Sequence, residues 1–314
     1  MFNAKVALGT WSWGHGKNGG DQVFGNHLTE DSLRPVVDAA MKSGLNLWDT
    51  AAVYGEGTSE ELVGNLLKPY KREDYYLSTK FTPLFSDGSD DAMEKMLQGS
   101  LKRLHTDHID LYWIHNSDDV EKWTPKLIPL VKSGVIKHVG VSNHNLAQVK
   151  RANEILAAGG VKLEAVQNHY SLLYPNSEEM GLLDYCKENG ITFFPYMVLE
   201  QGALTGKYNQ AHPFEGDSLR ARTYNKVLPK LEALTDAMAE IGKKYDISTA
   251  DVATAWAIAK GTQPIIGVTK PKYIPDTVKA INANLTPDEM QRLETLAAAT
   301  HVDLTAGWEK NMEA

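Results

Sequence analysis

Short runs of β-type residues recur along this chain, separated by longer stretches with helical periodicity. Eight such runs lie at residues 6–8, 46–49, 75–79, 109–114, 138–141, 165–167, 192–196 and 264–266. Most are spaced by ~25–35 residues, the length of one strand–helix unit. The intervening stretches carry helix signals of their own. Thr29 caps a stripe of Leu33, Val36, Val37, Ala40 and Met41 that Gly44 stops. Ser59 opens a second stripe through Leu62, Val63, Leu66 and Leu67, and Asp90 a third through Met93, Met96, Leu97, Leu101 and Leu104. This alternation predicts an α/β fold, a closed (β/α)8 TIM barrel forming a single domain over residues 1–314. Extra helices are expected near 229–245 and 249–260, before the eighth strand, and near 271–281 and 287–299 after it. Residues 206–226 show no period, and a loop that long in a compact domain commonly serves function. An open doubly wound sheet would need a glycine-rich phosphate turn after its first strand. The nearest candidate, Gly55-Glu56-Gly57-Thr58-Ser59-Glu60, follows the second run and would set two carboxylates against a pyrophosphate.

Composition narrows the function. The 314 residues are 42% apolar, with a net charge of −8, which argues against a nucleic-acid partner. The lone Cys186 excludes an intramolecular disulfide and a multi-cysteine zinc site, and it falls in a helical stretch where a buried apolar role is expected. No apolar run approaches the ~18–20 residues of a membrane span, and residues 1–5 lack a signal-peptide pattern. A cytoplasmic protein is expected, a monomer or weak homo-oligomer with no membrane partner. A metal-dependent barrel hydrolase would need ligands converging from several strand ends. Only His115, His144 and His169 lie near such ends, no His-x-His pair follows the first run, and no metal is expected.

Four residues stand at the C-terminal ends of successive runs, or just beyond, where barrels of this type carry their chemistry. Asp49 ends the second run, Tyr54 follows it, Lys80 ends the third and His115 the fourth. A carboxylate, a phenol, an amine and an imidazole gathered there are suited to placing a proton on a carbonyl oxygen. Asp49 pairs with Lys80 in this reading, the Lys80 ammonium lowers the Tyr54 pKa, and His115 polarises the carbonyl. Proton delivery is half of a carbonyl reduction; the hydride must come from a cofactor.

The segment Gly44-x-Asn46-x-x-Asp49-Thr50-Ala51-x-x-Tyr54-Gly55-x-Gly57-x-Ser59-Glu60-x-x-x-Gly64 resembles the signature of the aldo-keto reductases. Further matches follow in order: Ser78-Thr79-Lys80, Asp110-Leu111-Tyr112-x-Ile114-His115, Gly140-Val141-Ser142-Asn143, Gln167-x-x-Tyr170 and Gln201-Gly202-x-Leu204-Thr205-Gly206-Lys207-Tyr208. The resemblance spans roughly residues 6 to 300 and is strongest to the branch of bacterial reductases and potassium-channel β-subunits. It implies reduction of an aldehyde or ketone with NADPH, expected ahead of NADH, through an Asp49–Tyr54–Lys80–His115 tetrad. Its alternative is a cofactor-binding regulatory protein of the channel β-subunit type. It also implies that Ser142, Asn143 and Gln167 receive the nicotinamide carboxamide, that Tyr196 stacks on the ring, and that Gly9-Thr10-Trp11 lies under the pyrophosphate with Trp11 facing substrate. Leu199, Gln201 and Leu204 are further implied cofactor contacts, and the irregular segment from Leu204 onward matches the loop that folds over the cofactor. At the adenosine end the chain reads Gly267-Val268-Thr269-Lys270-Pro271-Lys272-Tyr273, with Tyr273 where many members have Arg and Thr277 where many have Asn. Thr269 and Lys270 are then left to read the 2′-phosphate.

Other departures concern the pocket. Met197 and Val198 replace the common Ser-Pro after Tyr196, and Asn116 and Ser117 stand beside His115 where many members have an aromatic and a proline. Trp11, Trp13, Phe81, Phe85 and Trp123 are the candidate apolar lining, with Trp11, Tyr54, Phe81, His115 and Asn116 as substrate contacts. The short stretch before residue 6 leaves little chain to plug the barrel bottom.

Overall fold

In the computed structural model, which describes residues 2–307, 309 and 312, the eight runs become eight parallel strands. These are β1 (Ala7–Gly9), β2 (Leu47–Asp49), β3 (Tyr76–Phe81), β4 (Ile109–Ile114), β5 (Ile136–Ser142), β6 (Ala165–His169), β7 (Thr192–Tyr196) and β8 (Ile265–Gly267). Each pairs with its sequence neighbour from β1 to β7, and β8 pairs with β1. Between β7 and β8 the Gln263 N–H donates to the Phe193 carbonyl at 2.9 Å, so the barrel is nearly closed.

Strand residues alternate between two faces. Inward positions Ala7, Leu47, Leu111, Trp113, Ala165 and Phe194 form the barrel interior, and Phe2 and Ala4 pack beneath it. Phe2 lies 4.7 Å from the Tyr76 ring, so residues 2–4 cover the bottom despite their brevity. Outward positions such as Leu77, Val139 and Val166 meet the apolar stripes of the surrounding helices. Cys186 is buried there, and burial pushes its thiol up to about 12. Extra helices Leu228–Tyr245 and Thr249–Ala259 precede β8, and Tyr273–Asn282 and Pro287–Ala298 follow it. Among the described residues no helix is long and apolar enough to cross a membrane.

Local differences from the sequence reading have local causes. Ser59 does not cap its helix, Thr58–Leu67. Its hydroxyl donates to the Thr10 carbonyl at 2.8 Å, and Gly57, at φ 101°, begins the helix instead. Asp91 rather than Asp90 precedes the helix Ala92–Leu104, while Asp90 reaches Lys126 at 3.1 Å. The aperiodic stretch 206–226 contains a short helix, Leu219–Tyr224, capped by Ser218.

The segment after the last helix folds back onto the barrel rim. Leu304 and Met312 are buried, and Glu309 is fully enclosed. There His169 lies between two carboxylates, Nε2 hydrogen-bonded to Glu200 at 2.8 Å and Nδ1 within ion-pair distance of Glu309 at 2.9 Å without an aligned hydrogen bond. Burial lowers the His169 pKa, but Glu200 and Glu309 outweigh it and hold it at about 9.

Two predictions follow from this packing. A methyl group at Gly140 would lie 2.3 Å from the Trp113 ring. Gly140→Ala is expected to lose about 1–3 kcal/mol of unfolding free energy in urea; an unchanged midpoint would show that the interior has slack. The raised His169 value, against ~6.5 for an unfolded histidine, means that its contribution to stability is complete below pH ~6.5 and lost as pH rises through about 9. The urea midpoint should therefore fall between pH 6.5 and ~9.5, and fall less in Glu309→Gln; equal falls would contradict the assignment.

Candidate active site

Strand alternation decides which side chains meet at the barrel mouth. Asp49, Lys80, Ser142, Gln167 and Tyr196 share the inward parity of their strands, and His115 continues the inward row Leu111, Trp113 of β4. Asp49 and Lys80 form a buried pair, Oδ2 to Nζ at 2.6 Å, with side-chain exposures of 5% and 0%. Lys80 also donates to the Thr50 carbonyl at 2.7 Å. The other Asp49 oxygen accepts from Ser78 at 2.7 Å and from Gln167 at 3.3 Å. Trp113 donates to Ser78 at 2.7 Å, which connects the barrel interior to the pair.

Tyr54 stands above this pair. The Lys80 ammonium lies 5.2 Å from its ring centroid, the Trp11 ring stacks on it at 5.8 Å, and the His115 ring meets it edge-on at 5.8 Å. Burial, and then the Asp49 carboxylate, push the phenol well above its ordinary value. This corrects the sequence expectation of a lowered phenol: burial and Asp49 set the direction despite the nearby Lys80 ammonium. Burial lowers the Lys80 pKa while Asp49 opposes the fall. Burial, then the Lys80 charge, hold His115 well below the imidazole range, so it is neutral at pH 7. Its Nδ1 lies 2.9 Å from the Thr82 hydroxyl.

The polar groups at the ends of β5 and β6 join the same network. Asn143, at φ 58°, donates through Nδ2 to the His115 carbonyl at 2.7 Å and to the buried Ser142 hydroxyl at 3.2 Å. Its Oδ1 accepts from the Tyr196 hydroxyl at 2.6 Å. Gly9 lies in register with Asp49 and Gly267. A methyl group on it would lie 2.9 Å from the Ile265 side chain, which would have to shift to admit it. Trp11 donates to the Asn18 carbonyl at 3.1 Å and meets Phe24 edge-on at 5.2 Å. Asn116 and Leu199 are half-buried.

Several expected contacts lie elsewhere. Phe81 has outward parity and is fully buried against Trp123, with ring centroids 4.8 Å apart, so it underlies the site and presents no surface to a substrate. Trp13 is likewise core, donating to the Val268 carbonyl at 2.7 Å. Phe85 is exposed. The Thr10 hydroxyl is engaged by the Asp49 carbonyl and Ser59, the Leu204 side chain is in the core, and the Thr277 hydroxyl donates to the Tyr273 carbonyl of its own helix. None of these three offers a free side chain to a cofactor.

At the far end of the mouth Gly267 faces open space, and Thr269 and Lys270 lie beyond it. Lys207 reaches the Tyr273 hydroxyl at 3.0 Å. Burial raises the Tyr273 pKa, but Lys207, Lys272 and Lys270 together bring it below its ordinary value. Gln201 Oε1 and Arg220 Nε are buried without a hydrogen-bond partner among the described residues. A cavity of about 450 Å³ opens beside Thr82, lined by Lys17, Asn18, Val53, Phe85 and Met96 among others.

The sequence reading missed Thr82, Lys207 and the His169–Glu200–Glu309 cluster as site residues. Thr82 carried a signal, since it shares the inward parity of Lys80. Lys207 stood inside the quoted Gly206-Lys207-Tyr208 match. Glu309 had none, because no periodic element places it.

Comparison with known proteins fits this geometry. The model of the aldo/keto reductase family matches residues 5–298. The chain is 31% identical to a chloroplastic pyridoxal reductase of Arabidopsis thaliana, over 93% of this chain and 82% of that protein. It is 31% identical to the aldo-keto reductase yakc [NADP(+)] of Schizosaccharomyces pombe, over 82% of this chain and 80% of that one. Its fold superposes on the glycerol dehydrogenase AKR11B4 of Gluconobacter oxydans with a TM-score of 0.80 at 27% identity, covering 96% and 94% of the two chains. The chain belongs to the aldo/keto reductase family.

Proposed function

We propose that this chain, acting as one domain, reduces aldehyde or ketone carbonyls with NADPH, and that Tyr54 delivers the proton. The observation that carries the reading is the meeting of a protonated phenol, a buried Asp49–Lys80 pair and a neutral imidazole within one inward-facing cluster. The residues present suit a dinucleotide. Asn143, Ser142 and Gln167 supply amide and hydroxyl groups for a carboxamide. The orphaned Gln201 Oε1 and Arg220 Nε are buried polar atoms that lack partners in the protein, and buried groups of that kind are normally satisfied. Lys207, Lys270 and Lys272 gather around Tyr273, a setting for a phosphate. The S. pombe relative whose name carries NADP(+) supports the same cofactor.

When bound, NADPH supplies a hydride from its nicotinamide ring to the carbonyl carbon. The protein's own task is the proton. Tyr54 keeps its proton at neutral pH because burial and Asp49 both disfavour the phenolate. As negative charge develops on the carbonyl oxygen, Tyr54 becomes the donor, and the Lys80 ammonium beneath its ring stabilises the phenolate left behind. The tautomer in which Thr82 donates to Nδ1 leaves the His115 Nε2 proton to hydrogen-bond the same oxygen. Trp11 and Phe24 form an aromatic wall beside Tyr54.

Tyr54→Phe is expected to lower kcat for carbonyl reduction by ~10²–10⁴-fold, followed at 340 nm with NADPH across a panel of aldehydes and ketones. Near-full activity would remove Tyr54 as the proton donor. The double variant Lys207→Ala, Lys270→Ala is expected to raise the Kd for NADPH by at least about tenfold, through loss of charge-assisted contacts, while that for NADH stays nearly constant. Parallel weakening of both cofactors would show that these lysines do not read the phosphate.

A further inference from the structure

We infer that Glu309, in the segment beyond the last helix, is a positioning residue for the nicotinamide half of the site: it fixes Tyr196 and, through Tyr196, Asn143. The inference rests on the reading of Tyr196 and Asn143 as ring and carboxamide partners. It goes beyond that reading by assigning a role to a carboxylate far from the four proton-handling residues in sequence.

The geometry is closed on every side. Glu309 is fully buried. Its Oε2 accepts the Ala306 N–H of its own turn at 2.7 Å, which sets the direction of the side chain. Its Oε1 is then 2.9 Å from His169 Nδ1 and 3.0 Å from the Tyr196 hydroxyl. The same hydroxyl lies 2.6 Å from Asn143 Oδ1, so its single proton is shared between the two acceptors, with the shorter contact to Asn143. Asn143 cannot turn over freely, because its Nδ2 is occupied by the His115 carbonyl and Ser142. A continuous chain of contacts therefore runs from Glu309 through Tyr196 and Asn143 to the backbone of His115.

The plane of the Tyr196 ring is fixed in a second way. His169 stacks against it at 5.6 Å, and Tyr174 stacks behind His169 at 4.1 Å. His169 is held on its other nitrogen by Glu200, which also accepts from Tyr224 at 2.7 Å and from Ser171. Glu309 thus completes a cluster of one imidazolium and two carboxylates directly behind the aromatic platform. That cluster carries a net charge of about −1. Negative charge there favours a ring that turns cationic on losing hydride, so Glu309 acts on the oxidised cofactor more strongly than on the reduced one.

The test is to titrate the parent, Glu309→Gln and Glu309→Ala with NADPH and separately with NADP⁺, following quenching of tryptophan fluorescence. Hydrogen exchange of the cofactor-free proteins, over residues 165–169, 192–199 and 301–309, reports whether the variants stay folded. Glu309→Ala is expected to raise both Kd values by about tenfold or more, as loss of a hydrogen bond to a charged group does, and to speed exchange in 301–309 while the strands stay protected. Glu309→Gln keeps one acceptor oxygen, for Tyr196 or for the Ala306 N–H but not both, and removes the charge, so it should weaken both cofactors and NADP⁺ the more. A merely structural role would weaken both equally. Binding of both cofactors to Glu309→Ala within about twofold of the parent would overturn the inference. So would tighter binding, which would make the segment a competitor for the site. A parent that binds neither cofactor would instead remove the reading beneath it, and the inference with it.

Discussion

Two opposite charges sit inside this barrel with almost no access to water, and the site is arranged around them. An unpaired lysine or aspartate in that position would be destabilising by several kcal/mol, roughly 3–5 when one partner of a buried pair is removed. The Asp49–Lys80 pair is tolerated because its remaining hydrogen-bonding capacity is also satisfied, by Ser78, Gln167 and the Thr50 carbonyl. Those partners come from β3, β6 and the end of β2. Satisfying the pair thus ties together strands distant in sequence, and the register of β3 on β4, Lys80 opposite Trp113, brings the indole that supports Ser78.

The pair also sets the protonation of its neighbours. Burial and the Asp49 carboxylate keep the proton on Tyr54. The Lys80 charge, added to burial, keeps His115 neutral. Two groups that would titrate on either side of neutrality in water are pushed apart, which is the usual arrangement where one acid must act at a defined moment. Around this uncharged centre the mouth is divided. His169, Glu200 and Glu309 give one side a slight negative charge, and Lys207, Lys270 and Lys272 make the β8 end positive. A molecule with phosphates at one end and a ring that becomes cationic at the other fits that division.

The barrel was readable from spacing because each strand–helix unit repeats the same two signals, a short β run and a capped apolar stripe. The tetrad was readable because strand ends in a parallel barrel share one rim. What the sequence reading overlooked was parity. Phe81 follows Lys80 directly and must therefore face the helices, whereas Thr82, two positions on, faces inward with it. Counting by two from the inward row Tyr76, Ser78, Lys80 separates these cases without coordinates. Thr277 and Leu204 differ for another reason: a hydroxyl bonded to its own helix and a leucine in the core are outcomes of packing that no local pattern reports. Glu309 lies outside any periodic element, so its place depended wholly on the buried His169 that waits for a second carboxylate.

The backbone after β7 shows how much the fold accepts to build this rim. Met197, Glu200 and Gln201 all have positive φ, at 57°, 46° and 51°, and none is glycine. Each left-handed residue of this kind is disfavoured by roughly 1–2 kcal/mol, so three within five positions persist only where the surroundings hold them. Glu200 supplies that hold. It is fully buried, and His169, Ser171 and Tyr224 all bind its carboxylate. The turn it secures carries Gln201, whose buried oxygen has no partner among the described residues. Strain at the rim, its anchor at Glu200 and an orphaned acceptor beside it belong together. The strain is local, and the buried carboxylate of Glu200 is what holds it.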